Sequence, residues 1–237
     1  MSRKVLFGLA AIGLLGISAP SHAIPVSLEL AIVIDSSASI SSADFATQQT
    51  SYVNAINALL PIDGSVAVEV VNFSSNVVVQ FPEMIIASAA DRTALTNAIA
   101  TMPKLNSNTA IGNAIAQAAT DLTSAAILGS RLIIDVSTDG ENNVGQAPGT
   151  AADNAIAAGI NEVNCLGIGG AADCSFIRGT GSFSINAADF QAFEAALTTK
   201  LARELNVPEP ASLLLLGSGL IGAGIAARRR ARRATRC

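Results

Sequence analysis

Apolar and polar positions alternate between two periods along the chain. Leu28 to Ile34 is an apolar run broken only by Glu29, rich in β-branched residues and closed by Asp35. Such a run suits a strand buried on both faces. Ser41 and Ser42 can cap a helix from about Ala43 to Leu60, in which Phe45, Tyr52, Ile56 and Leu59 recur at helical spacing. Pro61 to Gly64 reads as a turn, and Val66 to Phe73 and Val77 to Phe81 as two strands joined by Ser74-Ser75-Asn76. Helices are predicted over Asp91 to Met102 and over the alanine-rich Ala110 to Leu128, where Gly129 ends the pattern. Arg131 to Val136 gives a second buried strand and Thr150 to Ala158 a helix. Glu162 to Ile168 and about Ser182 to Ile185 are further strands. Phe190, Phe193, Leu197, Leu201 and Leu205 then mark the apolar stripe of a last helix, Ala187 to Asn206.

Strands alternating with helices predict an α/β fold: a doubly wound, mostly parallel sheet with helices on both faces. The hairpin from Val66 to Phe81 adds one antiparallel edge strand. Asp35-Ser36-Ser37-Ala38-Ser39 stands where a dinucleotide-binding fold would carry its glycine fingerprint, which argues against nucleotide binding.

The two ends of the 237-residue chain follow neither period. Arg3 and Lys4, an apolar run from Val5 to Ala19, and Ser21-His22-Ala23 read as a secretory signal peptide, Met1 to Ala23. The body, residues 24–206, is followed by a tail, 207–237: Pro208-Glu209-Pro210, an apolar stretch, and an arginine cluster opened by Arg228-Arg229-Arg230. The apolar stretch from Ala211 to Ala227 has 17 residues, about 25 Å of helix and near the lower limit for a transmembrane segment. The arginines would stay cytoplasmic. This tail resembles the PEP-CTERM sorting signal of Gram-negative bacteria. The resemblance implies recognition and processing by an exosortase near Pro208, Glu209 and Pro210. It also implies delivery to the cell surface or extracellular matrix after transient anchoring in the inner membrane. A permanent single-pass anchor is the alternative.

Charge sharpens this division. Between Ile24 and Val207 lie six basic and 17 acidic residues, a net charge of −11, whereas the whole chain carries −4. Such a body is unsuited to nucleic acid, whose phosphates need basic patches. The only histidine, His22, is in the leader, so serine-histidine, cysteine-histidine and histidine-zinc chemistry are excluded from the body. Cys165 and Cys174 can form a local disulfide in an exported protein, with two free thiols as the alternative. Cys237 would leave with the tail.

Open α/β sheets bind ligands beyond the carboxyl ends of their strands, where strand order reverses. Asp35, Ser37 and Ser39 follow the first long strand, Asp139 follows the strand near Val136, and Thr109 precedes a helix. If those two strands are neighbours, all five side chains converge into a hard-oxygen site. Such a set suits Mg2+, with Mn2+ or Ca2+ as alternatives. Ser37 and Ser39 could ligate directly, Asp35 and Asp139 directly or through water, with at least one position open. Each residue also has a plain structural role: Asp35 and Ser37 as helix caps, Thr109 as an N-cap, Asp139 in an Asp-Gly turn. Glu141 and Asn142 could tune the rim. Asp135 could orient a loop or pair with Arg131.

The Asp35-x-Ser37-x-Ser39 run with Thr109 and Asp139 resembles the metal-ion-dependent adhesion site of a von Willebrand factor type A domain. The resemblance covers about Leu28 to Asn206. Within that family it is similar to an uncharacterised bacterial subfamily, in the stretches Asn108 to Gly112, Arg131 to Ser137, Asp139 to Asn143 and Lys200 to Glu204. Thr138 departs from that subfamily, which tends to have glycine there. The resemblance implies a Rossmann-like fold and divalent-cation-dependent binding, in which an acidic group of an unidentified partner fills the open metal position. The expectation is therefore an exported, adhesion-type binding module and not an enzyme. A structural matrix protein stiffened by its metal is the first alternative. A metal-assisted hydrolase is the second, and it lacks a positioned general base.

Overall fold

The computed structural model describes residues 24–206 apart from Ala125. The signal segment Met1–Ala23, the sorting motif, the apolar run Ala211–Ala227 and Cys237 lie outside the described residues. Among the described residues, no helix is long and apolar enough to cross a membrane.

The chain order is β1 (Ile24–Val26), β2 (Leu28–Asp35), α1 (Ser42–Leu59), β3 (Val66–Phe73), β4 (Val77–Ile85), α2 (Ala89–Ala100), α3 (Ile111–Ser124), β5 (Ile127–Gly129), β6 (Leu132–Thr138), α4 (Pro148–Ala158), β7 (Glu162–Ile168), β8 (Ser184–Ala187) and α5 (Phe193–Glu204). Six strands form one sheet in the order β4-β3-β2-β6-β7-β8. All its pairings are parallel except β3 with β4, so the expected antiparallel edge strand is β4. It runs on to Ile85, past a bulge and past Pro82, a residue that an edge strand tolerates.

Helices cover both faces. Leu30, Ile32 and Ile34 of β2 pack with Tyr52 and Ile56 of α1, Leu95 and Ile99 of α2, and Leu197 and Leu201 of α5. Ala31 and Val33, pointing the other way, pack with Ile111 and Ile115 of α3 and Ala151 and Ala155 of α4. Every residue of β2 is therefore buried, as expected of a central strand, and burial of this two-sided core is the main stabilising term. Ser41 caps α1 by accepting the Asp44 N–H, while Asp35 and Ser37 are left free of that duty.

Three expectations are corrected. The alanine-rich helix stops at Ser124, because Ile127–Gly129 instead pairs in parallel with Ile24–Val26 as a separate two-stranded sheet. The last helix begins at Phe193: Ser184 to Ala187 continue as β8 against β7, which takes Ala187 out of the helical stripe. Asp135 neither pairs with Arg131 nor orients a loop. It contacts Lys200 of α5, while Arg131 bridges to Glu162 at 3.0 Å. The pleat explains this: Asp135 shares the sheet face of Ile133, which is covered by α1 and α5.

Candidate metal centre

Strand order reverses between β2 and β6, and the two strands are hydrogen-bonded neighbours with Ile34 opposite Ser137. Both end at the same edge of the sheet, which places Asp35 beside Thr138 and next to the Asp139-Gly140 turn. Asp35 is fully buried, and both its carboxylate oxygens have donors. Oδ1 accepts the Ser37 N–H at 2.8 Å, and Oδ2 accepts the Thr138 hydroxyl at 2.7 Å. Ser37 Oγ lies 3.0 Å from Ser39 Oγ, and Ser39 Oγ donates to Asp139 Oδ1 at 2.7 Å. Residues from two strand ends, 100 positions apart for the last pair, thus form one chain of oxygens. The chain runs from the buried Asp35 out to the exposed Ser39 and the half-buried Asp139. Burial pushes the Asp35 carboxyl up to about 6, with the negative charge of Asp139 adding to the rise and the Ser37 and Thr138 hydrogen bonds opposing it.

Thr109 is buried beside this chain but outside it. Its N–H donates to Asn143 Oδ1 at 2.8 Å, and its carbonyl accepts the Asn143 N–H at 3.0 Å. Its hydroxyl makes no hydrogen bond among the described residues. The loop before it is fastened to the Asp35 loop from the other side. Ala38 N–H donates to Ser107 O, Asn106 N–H to Ser36 O, and Lys104 Nζ to Ser37 O at 2.9 Å. Three loops, following β2, preceding α3 and following β6, are therefore laced together at one end of the sheet.

Several contributors escape sequence inspection. Thr138, noted only as a departure from the subfamily, supplies the donor to Asp35 Oδ2. Gln48, one helix away, donates to the Asp35 carbonyl at 3.0 Å. Asn143, together with Asn142 that was expected to tune the rim, acts on the start of α3 through the Thr109 and Gly112 N–H groups. The available signal was two asparagines after an Asp-Gly turn, which marks a capping loop without saying which helix it caps. Glu141 makes no hydrogen bond through its side chain among the described residues. The disulfide between Cys165 and Cys174 is formed, with Cα atoms 5.7 Å apart. It holds the loop after β7 where Asp173 N–H donates to Gly140 O at 3.2 Å, directly behind Asp139.

Residues 25–209 match the family described as "Protein of unknown function (DUF1194)". The chain belongs to this family. Residues 206–230 match the PEP-CTERM protein-sorting motif, which marks an exported protein of the cell surface or extracellular matrix and implies processing by an exosortase. No curated protein matches the chain significantly. Among solved structures, it is similar to proximal thread matrix protein 1 of the mussel byssus, with a TM-score of 0.64 and 20% identity over 78% of this chain and 49% of that one. The von Willebrand factor type A protein from Catenulispora acidiphila gives 0.62 and 20%, over 76% of this chain and 43% of that one. BatB from Bacteroides thetaiotaomicron gives 0.56 and 21%, over 76% of this chain and the whole of that one. The chain thus spans about half the length of the mussel protein and all of BatB. These likenesses establish the von Willebrand factor type A fold for the DUF1194 chain.

Proposed function

We propose that this DUF1194 protein is an exported, divalent-cation-dependent binding module and not an enzyme. The carrying observation is the oxygen chain from Asp35 through Ser37 and Ser39 to Asp139. Asp35, Ser37, Ser39 and Asp139 would hold the ion, with the Thr109 hydroxyl as the remaining protein ligand. The donor set fits: it is all oxygen, carries two carboxylates, and offers hydroxyls in place of imidazole or thiolate. Its exposed end at Ser39 leaves room for a ligand from outside. Mg2+ suits a small, hydroxyl-rich set best, with Mn2+ or Ca2+ as alternatives. A similar structure is that of the mussel byssus protein with a zinc-occupied MIDAS motif. Another is that of the pilus adhesin SpaC from Lactobacillus rhamnosus GG. The first favours a metal in the site, and the second an adhesive role.

When bound, the ion would supply a local positive charge on a domain that is otherwise acidic. A partner's carboxylate can then complete the coordination despite the net charge of the body, because the contact is short and screening limits the wider repulsion. The protein's part is to hold the hydroxyls and carboxylates in place before the ion arrives. Turnover lacks support in the sequence, since the body holds no histidine to serve as a general base.

The test is capture of the producing cell's surface material by the purified protein, in Mg2+ and in chelator, for the wild type and Asp35→Ala. Binding should require Mg2+ and fall more than about 100-fold in the variant, as for a lost buried charge contact. Equal binding in chelator, or full binding by Asp35→Ala, would refute the reading. Metal uptake by calorimetry without any matrix binding would favour a structural matrix role instead.

A further inference from the structure

The face of the sheet under α1 and α5 holds a second polar group, on the opposite face from Asp35 and, among the described residues, sharing no hydrogen bond with the metal centre. Lys200 of α5, Asp135 of β6 and Glu204 of α5 are all fully buried. Lys200 Nζ contacts Asp135 Oδ1 directly and lies 2.5 Å from Glu204 Oε1. Asn164 Nδ2 holds Glu204 Oε1 at 2.9 Å, and Arg131 Nη1 holds the Glu204 carbonyl at 3.1 Å, so the end of α5 is fixed over the strand. The surroundings are aromatic and aliphatic. The Phe183 ring lies 5.4 Å from Lys200 Nζ, and Phe193 and Leu197 pack on the same side. Asp135 Oδ2 and Glu204 Oε2 are buried with no hydrogen-bond partner.

As an ion pair this arrangement is costly. A lysine and two carboxyl groups lie together out of water, and two of the carboxyl oxygens have no hydrogen-bond partner. We propose that Lys200 and Asp135 are joined by an isopeptide bond between Nζ and Cγ, formed within the folded domain with Glu204 as proton relay. An Nζ in contact with Oδ1 is one C–O bond from Cγ, which brings the two reacting atoms together. The chemistry balances without any added reagent. A proton passes from the ammonium to the Asp135 carboxylate, giving a neutral amine and a neutral acid. Burial favours the amine, against the pull of Asp135 and Glu204 that holds the Lys200 ammonium above its ordinary range. The Nζ lone pair attacks Cγ, and a proton moves from Nζ through the Glu204 carboxyl to the departing Asp135 oxygen. The Cγ–O bond breaks, an amide forms, and one water leaves.

Two features support the assignment of roles. Burial, and then the charge of Asp135, push the Glu204 carboxyl up to about 8, so at neutral pH it carries the proton that a relay needs. In the product, the remaining Asp135 oxygen is an amide carbonyl, far cheaper to leave unpaired than a carboxylate. Holding amine and acid in one rigid core also supplies an effective concentration on the order of 10⁵–10⁸ M, which drives a condensation that water would otherwise oppose. The consequence is mechanical. α5 is the last element before the sorting tail, and the bond would tie it covalently to a central strand.

The test is peptide mapping of the exported protein, reduced and digested with trypsin. In the wild type, Leu132–Arg178 should be recovered joined to Gly179–Arg203, with cleavage after Lys200 blocked and the mass lower by one water, about 18 Da. Lys200→Arg, which keeps a cation but cannot condense, should give separate peptides. Glu204→Gln should give mostly separate peptides while circular dichroism shows a folded domain. Recovery of free Leu132–Arg178 and Gly179–Lys200 at their sequence masses from the folded wild type would overturn the proposal and leave a plain buried ion pair. A bond formed as fully in Glu204→Gln as in the wild type would overturn the role of Glu204.

Discussion

Two groups of buried carboxylates lie on the α3 and α4 face of the sheet and its upper edge, and they are satisfied in opposite ways. At the carboxyl end of β2, Asp35 has a donor on each oxygen and a line of hydroxyls leading to solvent. Toward the other end, Glu29 of β2, Glu69 of β3, Glu83 of β4 and Asp121 of α3 come together with no ion-pair partner among the described residues. Glu29 Oε2, Glu69 Oε2 and both Glu83 oxygens are buried without a donor. Glu83 lies against Glu29 and Glu69 against Asp121, so like charges meet out of water. Burial first, and then the neighbouring acids, push Glu69 up to about 9 and Glu83 up to about 8. Among the described residues, no group of three or more acidic, histidine or cysteine side chains is placed to hold a metal ion. The lesson is that acid count does not make a cation site. Buried glutamate carboxyls such as those of Glu69 and Glu83, without hydroxyls around them, favour their protonated forms, whereas two carboxylates framed by serine and threonine are arranged for a cation.

The largest expected effect separates the two groups by ligand response. Mg2+ at about 100 times its dissociation constant should stabilise the native state by about 2.7 kcal/mol. That gain should appear in the wild type and in Glu69→Gln and be absent in Asp35→Ala, as read by urea denaturation. A Mg2+ response that vanished in Glu69→Gln would collapse the distinction.

The pH response should divide them by range, because Asp35 is raised only to about 6 and the glutamates further. A carboxyl whose folded pKa is raised favours the native state most below its unfolded pKa, near 4.5, and loses that contribution as pH rises through the folded value. Without metal, stability should therefore fall between about pH 5 and pH 9, with Glu69 alone accounting for roughly 3 kcal/mol between pH 4.5 and 7. Glu69→Gln should flatten the curve and raise stability at neutral pH. A flat wild-type curve over that range would remove the basis for protonated glutamates.

The smallest effect concerns one hydroxyl. Thr138→Val keeps the shape of the side chain and leaves Asp35 Oδ2 without its donor, which should cost about 1–3 kcal/mol of native stability and weaken Mg2+ binding. Unchanged stability and metal affinity would mean that Asp35 does not depend on β6 for its placement.

The layered α/β architecture was legible because each core strand is apolar on both faces and each helix shows a stripe, as in Leu28 to Ile34 and in Phe193, Leu197 and Leu201. Asp35, Ser37, Ser39 and Asp139 were legible as a set because strand ends at a reversal of order are where side chains converge. The partners of Asp135 were not. Lys200 and Glu204 lie 65 and 69 positions away, on a helix whose stripe looked wholly apolar, and a charged residue inside such a stripe has no pattern of its own. The pairing of Ile127–Gly129 with the first three residues of the body was equally hidden, since three-residue strands carry no periodicity.

Local pattern alone determined the long strands and the helical stripes, that the exported body is acidic and histidine-free, and that its candidate cation ligands are oxygens. Tertiary structure decided which carboxyl each polar atom meets. It brought Thr138 to Asp35, closed the oxygen chain from Ser39 to Asp139, and set Lys200 against Asp135. The reason is geometric. Periodicity records which face of an element a residue occupies, whereas a hydrogen bond depends on the register between elements far apart in sequence, and that is settled only when the two sides of the sheet pack.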